Sequence, residues 1–228
     1  MNSTGTLRSA LAVLVASAAV AGGPGSVTAQ PAQKGLRHLI YLHGRIIQTQ
    51  QNRRPRSPEF GYYELDKIVA AFRARGFVVT GEMRPKTATV SDAADHVVKQ
   101  VHELLKKGVA PDHVAVVGGS MGASITMLAS VRLQNPDVRF VMLAACPVEG
   151  ARELRAEEGK HPAGHILSIR EASDEMTKDC AFWKDDAMSQ QSQPRVREIM
   201  LRTGLGHGFI YRPLPEWLNP VVEWLNAR

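Results

Sequence analysis

The chain has 228 residues, of which 28 are basic and 22 acidic, so its formal net charge is +6 at pH 7. This length fits one domain or at most two, and the charge excess is too modest to indicate a nucleic-acid partner. Part of the excess lies in one arginine-rich stretch that is not interleaved with aromatic residues: Arg45, Arg53, Arg54 and Arg56. Such a stretch is typical of a solvated loop, or it favours an anionic surface or substrate.

The N-terminal segment has the pattern of a secretory signal peptide. Arg8 provides a positive start, Leu11–Val20 is an apolar run, and Val27-Thr28-Ala29 ends in a small residue. The run is shorter than the roughly 20 apolar residues that a membrane-spanning helix needs. We therefore expect residues 1–29 to be removed and residues 30–228 to be exported, to the periplasm or the extracellular medium, with no stable membrane span.

Strand-like and helix-like segments then alternate, which is typical of an α/β fold with a parallel sheet covered by helices on both faces. The predicted strands are His38–His43, Phe77–Thr80, Val114–Val117, Phe140–Ala145, His165–Ile169 and Glu198–Leu201. The predicted helices are Tyr62–Arg75, Asp92–Lys107, Met121–Leu133 and an amphipathic C-terminal helix around Trp217–Leu225. A long loop runs from Gly44 to about Pro58. Because there is no internal repeat and no linker, we expect a single domain.

The sequence Gly118-Gly119-Ser120-Met121-Gly122 follows a buried strand and precedes a helix. In this context G-x-S-x-G predicts a nucleophile elbow, in which the serine occupies a tight, strained turn. The flanking Gly118 and Gly122 are the small residues that such a turn requires. The elbow also directs the N-terminus of the next helix towards the reacting centre. A glycine-rich turn or a phosphate loop is the alternative.

A nucleophilic serine needs a base and an orienting carboxylate, which follow it in the chain order Ser, Asp or Glu, His. His207 follows the last predicted strand, between Gly206 and Gly208, and is the candidate base. Asp174 lies a few residues past the strand that ends at Ile169 and is the candidate acid. Its neighbours Glu171 and Glu175 remain open as alternatives, because geometry decides this role.

An oxyanion hole needs two backbone N–H donors. One is expected from Met121, the residue after the nucleophile, and the other from Arg45 or Ile46 in the loop after the first strand. His43 is expected to be a structural histidine, hydrogen-bonded under that loop. Because Arg45 and Arg84 follow predicted strands, an anionic substrate is a further expectation.

These features together resemble the α/β-hydrolase superfamily over about residues 36–228; they are Tyr41-Leu42-His43-Gly44, Gly118–Gly122, Asp174 and Gly206-His207-Gly208. The resemblance implies a mostly parallel sheet, a Ser-Asp-His triad and acyl-transfer hydrolysis without a metal or other cofactor. Two departures stand out. The usual first two antiparallel strands are missing from the predicted elements, and no long insertion follows Cys146 to form a lid. The chain is similar in plan to small lipases and cutinase-like enzymes.

The two cysteines, Cys146 and Cys180, follow neighbouring strands, so both are expected on the rim of the site. In an exported protein this pair is a candidate disulfide, with two reduced thiols as the alternative.

The sequence thus predicts a serine hydrolase that cleaves carboxylic esters or related acyl compounds and takes a small-molecule acyl substrate. Thioesters and amides stay open because the triad does not separate these substrates. A catalytically silent ligand-binding protein with the same fold is the alternative from another class. A protein that binds an anionic partner through residues 45–56 is a third. The pattern does not define an oligomeric state.

Overall fold

The computed structural model describes residue 1 and residues 35–146, 161–177 and 195–227. All the strands and helices below belong to one compact unit within residues 31–228. Beyond Met1, the expected signal peptide lies outside the described residues, and so does Cys180. In the ranges that are described, no helix is both long enough and apolar enough to cross a bilayer.

Six strands form one sheet in which every pairing is parallel. In chain order they are β1 (Arg37–Leu42), β4 (Phe77–Thr80), β5 (Val114–Gly119), β6 (Arg139–Leu143), β7 (His165–Glu171) and β8 (Arg195–Leu201). Their order across the sheet is β4-β1-β5-β6-β7-β8. Two short strands, β2 (Arg56–Ser57) and β3 (Gly61–Tyr62), pair with each other in an antiparallel hairpin.

Helices cover both faces of the sheet, as predicted. They are α1 (Arg45–Gln50), α2 (Leu65–Arg73), α3 (Val90–Lys106), α4 (Met121–Leu133) and α5 (Pro215–Asn226), with 3₁₀ turns at Pro111–His113 and Gly206–Tyr211.

The alternation of side chains along the strands produces two separate cores. Leu39 and Tyr41 of β1 pack on one face, whereas Ile40 and Leu42 pack on the other. The first core is closed by α2 and α5, through buried side chains that include Phe72 and Trp217. The second is closed by α3 and α4, through residues that include Val97 and Ile125. Both faces of the interior strands are thus removed from water, which explains why β5 and β6 are almost continuously apolar.

Several element boundaries differ from the prediction for identifiable reasons. Helix α3 begins at Val90 instead of Asp92, because Thr89 and Asp92 form a reciprocal capping box. Strand β6 ends at Leu143 instead of Ala145, since Ala144 has a positive φ of 52°.

The stretch expected as a continuous loop after Gly44 contains α1 and the β2–β3 hairpin. The predicted helix at Tyr62 begins at Leu65, because Tyr62 belongs to the hairpin. The backbone N–H groups of Tyr63 and Glu64 donate to Pro55 O and Tyr211 O, at 2.9 and 2.8 Å. The second of these bonds joins the residues after the hairpin to the segment that follows β8.

Candidate active site

Ser120 lies between β5 and α4 with φ 55° and ψ −121°, a conformation that side-chain-bearing residues seldom adopt. Its N–H donates to Leu143 O at 2.9 Å, which ties the turn to β6. The turn tolerates no side chain on either flank. A Cβ on Gly118 would lie 2.1 Å from Gly122 O, and one on Gly122 would lie 2.0 Å from Leu42 O. The local geometry is that of the predicted elbow.

His207 lies in the 3₁₀ turn after β8, and its side chain is buried. Its Nε2 is 2.9 Å from Ser120 Oγ, and its Nδ1 is 2.8 Å from Asp174 Oδ2. The three side chains thus form a continuous hydrogen-bonded chain, although 87 residues separate Ser120 from His207 and 33 separate Asp174 from His207.

The carboxylate of Asp174 is held by its own loop as well as by the imidazole. Asp174 Oδ1 accepts a hydrogen bond from Met176 N at 2.9 Å, and Oδ2 accepts one from Thr177 Oγ1 at 3.0 Å. Burial alone would raise the pKa of Asp174, but the hydrogen bond and electrostatic attraction from His207, with the hydrogen bonds from Met176 and Thr177, hold it below its usual value. Asp174 is therefore suited to accept from an imidazole Nδ1–H as a carboxylate.

Glu171 and Glu175, the two alternative acids, lie in surroundings that differ from those of Asp174. Glu175 is exposed and forms no hydrogen bond or ion pair with His207 in the part of the chain that is described. Glu171 is buried, and its carboxylate accepts hydrogen bonds from Thr203 N and Oγ1, Gly204 N, and Ser173 N and Oγ. Burial opposes ionisation of Glu171, yet these donors lower its pKa. Glu171 therefore fastens the segment that leads to His207, a role the sequence did not predict.

The two backbone N–H groups expected to donate to the oxyanion are not used by another acceptor in the described structure. Within the described ranges, the backbone N–H groups of Met121 and Arg45 make no hydrogen bond. Gly44 lies against the elbow, because a Cβ built on it would be 3.6 Å from Ser120 Cβ. The loop after β1 therefore lies beside the serine, and the oxyanion hole stays a prediction.

An apolar cleft of about 290 Å³ opens beside Ser120 and His207. Its remaining walls come from the first loop, the hairpin and the segment after β8, and include Ile46, Phe60, Tyr63, Ile210 and Tyr211. A more polar groove of about 630 Å³ is lined in part by Ser173, Glu175 and Arg212. Phe60, Met176 and His207 line both the cleft and the groove, and nothing in the local sequence identified Phe60.

The two arginines named for an anionic substrate have different places. Arg45 is exposed and contributes to the cleft. Arg84 is buried, and its guanidinium donates to His43 O and Gln48 Oε1 at 2.6 and 3.0 Å. The expectation that Arg84 contacts substrate is therefore wrong, because the loop that carries His43 and Gly44 takes its hydrogen bonds.

Cys146 is buried three residues beyond β6, on the same edge of the sheet as the site. Its expected partner, Cys180, lies outside the described residues, so the disulfide stays a prediction. Among the described residues, no group of three or more His, Cys, Asp or Glu side chains could hold a metal ion.

No family model matches the chain, and no curated protein matches it in sequence. Solved structures do match. Arabidopsis thaliana SOBER1 is 14% identical, with a TM-score of 0.57, over 83% of this chain and 97% of its own. An Agrobacterium tumefaciens protein of unknown function that has been grouped with the α/β-hydrolases is 18% identical, with a TM-score of 0.57, over 86% and 88%. A Rhizomucor miehei esterase is 14% identical, with a TM-score of 0.55, over 83% and 74%. The chain has the α/β-hydrolase fold that these proteins share.

Proposed function

We propose that this protein is a serine hydrolase that cleaves carboxylic esters through an acyl-enzyme, with Ser120 as nucleophile, His207 as base and Asp174 as orienting acid. The observation that supports this best is the 2.9 Å contact between Ser120 Oγ and His207 Nε2, at a serine held in elbow geometry. A hydroxyl and an imidazole within hydrogen-bond distance, with a carboxylate behind the ring, are the arrangement that activates a serine at neutral pH.

In the acylation half-reaction, Ser120 Oγ attacks the ester carbonyl carbon while its proton passes to His207 Nε2. The carbonyl oxygen becomes an oxyanion, and the imidazolium is stabilised by Asp174, which accepts from Nδ1–H at 2.8 Å. The tetrahedral intermediate then collapses. The bond to the leaving oxygen breaks, that oxygen takes the proton from Nε2, and the alcohol departs from the acyl-serine.

In the deacylation half-reaction, water replaces the alcohol. His207 Nε2 takes a proton from the water as its oxygen attacks the acyl carbon, and a second tetrahedral intermediate forms. Its collapse returns the proton to Ser120 Oγ and releases the carboxylic acid. In both halves, the N–H groups of Met121 and Arg45 are the proposed donors to the oxyanion, and such donors contribute most where water is excluded.

The cleft supports a preference for short apolar acyl groups. Its volume of about 290 Å³ is at the lower end of ligand sites, and its walls near Ser120 are aliphatic and aromatic. A charged acyl chain would lose hydration against Ile46, Phe60 and Ile210, and apart from His207 the only charged side chain that lines the described cleft is the exposed Arg45. We propose acetyl to hexanoyl esters as the range in which activity peaks.

A fluorophosphonate probe and p-nitrophenyl butyrate test the proposal together. The wild-type protein should be labelled at Ser120 and should hydrolyse the ester, whereas Ser120→Ala should do neither. Ser130→Ala is the matched control, because Ser130 is buried in helix α4, which follows Ser120, and among the described residues its hydroxyl donates to Met127 O at 2.7 Å. A wild-type protein that folds but is neither labelled nor active would instead favour the silent ligand-binding protein.

We also propose that the protein acts outside the cytoplasm after removal of residues 1–29, since this segment has the signal-peptide pattern. The intact mass of protein recovered from culture medium or periplasm tests this. A mass that includes residues 1–29 would contradict it.

A further inference from the structure

We propose that His43 and Arg84 are positioning residues of the oxyanion hole, which hold the Gly44–Arg45 peptide group with its N–H towards Ser120. This inference rests on the proposed function and explains how the second oxyanion donor is kept in place. It concerns side chains that touch no substrate.

Both ring nitrogens of His43 form hydrogen bonds. The side chain is 0% exposed, and its Nδ1 lies 2.9 Å from Gly44 O. Because a carbonyl oxygen only accepts, Nδ1 carries the proton and donates it. On the other side of the ring, Arg84 N–H donates to Nε2 at 3.1 Å, so Nε2 is the bare acceptor. The surroundings thus select one neutral tautomer. Burial and the nearby Arg84 guanidinium also lower the pKa of His43 to about 4, which keeps the ring neutral near pH 7.

The bond from His43 determines where the N–H of Arg45 points. Gly44 C=O and Arg45 N–H belong to the same peptide group, and none of the described peptide bonds is cis. In a trans peptide the C=O and N–H bonds are antiparallel. Since the carbonyl is turned inward to the buried imidazole, the N–H is turned outward, to the side where Gly44 and Arg45 line the cleft beside Ser120.

The preceding peptide group is fixed as well. Arg84 Nη2 donates to His43 O at 2.6 Å, and Gly44 N–H donates to Tyr63 Oη at 3.4 Å. Tyr63 Oη is in turn 2.9 Å from Tyr41 Oη. Arg84 is itself oriented by Gln48, whose Oε1 accepts from Nε at 3.0 Å. Two consecutive peptide groups of the loop therefore have their orientation determined by buried side chains.

The burial of Arg84 lowers the stability of the fold, which a merely structural role would not explain. It is 8% exposed, and none of the described carboxylates lies within ion-pair distance of it. Its Nη1 has no hydrogen-bond partner among the described residues. A buried cation that is neither paired nor fully hydrogen-bonded opposes folding. Beneath a loop that faces a developing negative charge, however, a fixed positive charge and the peptide groups it polarises favour the transition state.

Substitutions that separate positioning from packing test the inference. His43→Leu removes both ring contacts, whereas His43→Asn keeps an N–H near the position of Nδ1. Arg84→Met removes the guanidinium. Arg139→Met is the matched control: Arg139 is also 8% exposed and donates to backbone carbonyls, Trp224 O and Ala227 O, at the far end of the sheet. Each variant is measured for kcat and KM on p-nitrophenyl butyrate, for affinity to a trifluoromethyl ketone, and for Tm.

Loss of a whole oxyanion donor lowers kcat by about 10²- to 10³-fold, so a mispositioned donor should lower it by about 10- to 100-fold. We expect His43→Leu and Arg84→Met to show this loss of kcat, with KM within about twofold of wild type. Both variants should also bind the trifluoromethyl ketone more weakly by a similar factor, because the oxygen of the ketone adduct occupies the oxyanion hole. His43→Asn should recover at least half of the loss on a logarithmic scale. Arg139→Met should lower Tm and leave kcat and ketone affinity unchanged.

A folded His43→Leu protein with wild-type kcat and ketone affinity would overturn the inference, and so would a change confined to KM. If His43→Leu does not fold, Arg84→Met and His43→Asn decide by the same two readouts. Fluorophosphonate labelling of the wild type keeps the two proposals apart. An inert, unlabelled wild type overturns the proposed function and this inference with it, whereas a labelled, active wild type with unimpaired variants overturns the inference alone.

Discussion

His207 Nδ1 lies 2.8 Å from Asp174 Oδ2, and the two side chains are 7% and 0% exposed. An Asn at position 174 would keep the size of the side chain but would offer an amide in place of a carboxylate, which favours the wrong imidazole tautomer. We expect Asp174→Asn to lower kcat by about 10³- to 10⁴-fold with little change in KM. Steady-state kinetics on p-nitrophenyl butyrate measure this. Asp112→Asn, at an exposed aspartate of the 3₁₀ turn before β5, is the control.

Glu171 should matter for stability more than for chemistry. Its carboxylate accepts from Thr203 and Gly204, so Glu171→Gln replaces one acceptor oxygen with an NH₂ group that faces donors. The free energy of unfolding should fall by about 1–3 kcal/mol, as measured by urea titration. The loss of kcat should be much smaller than in Asp174→Asn. An equal loss of kcat would transfer the orienting role from Asp174 to Glu171.

The buried His43 makes stability depend on pH. Its pKa is lowered from 6.5 to about 4 in the folded protein, so between these values the unfolded chain binds more protons. The associated stability is complete above pH 6.5 and is lost as pH falls towards 4. We expect the free energy of unfolding to drop by about 3 kcal/mol across this window. His43→Asn, which does not titrate, should flatten the profile between pH 6.5 and 4.5; an unchanged slope in that variant would contradict this assignment.

The elbow glycines should tolerate no methyl group. Gly122→Ala would bring a Cβ to 2.0 Å from Leu42 O, a backbone atom of the interior strand β1, so either the helix or the strand must move. We expect a loss of roughly 3 kcal/mol or more of unfolding free energy, or an insoluble protein. Gly76→Ala is the comparison, because Gly76 has a φ of 88° but open space around it; it should cost only about 1–2 kcal/mol. Equal losses in urea titration would show that the close approach to Leu42 is unimportant.

The predicted disulfide between Cys146 and Cys180 can be tested by alkylation of free thiols. Under denaturing, non-reducing conditions, the exported protein should contain no thiol that reacts with iodoacetamide. Closing this loop should contribute about 3 to 4 kcal/mol in the chain-entropy model, so Cys146→Ala with Cys180→Ala should lower stability by that amount. Two alkylated cysteines in the exported protein would exclude the bridge.

The strands, the elbow and the three residues of the hydrogen-bonded chain could be predicted because their signals are local. Ser120 has glycines two residues before and after it, and Asp174 and His207 each follow a recognisable strand. The carboxyl ends of parallel strands meet at one edge of a sheet, so the order of elements was enough to bring these residues together.

What could not be predicted depends on partners distant in the chain. Glu171 meets Thr203 across 32 residues, and His43 meets Arg84 across 41. Arg84 follows a strand, which suggested a substrate contact; only the packed structure shows that Gln48 and His43 O take its donors. Helix α1 has only six residues, too few for an amphipathic period to identify it.

The edge strand β8 leads into the turn that carries His207, and among the described residues it pairs only with β7 in the sheet. Ser120 can therefore meet His207 only after synthesis has passed β8 and the turn that follows it, 87 residues beyond the serine. A fragment truncated before residue 207 would lack the imidazole that lies 2.9 Å from Ser120 Oγ. Under the proposed function, a nascent chain is therefore inactive until the segment that carries His207 has docked on the sheet.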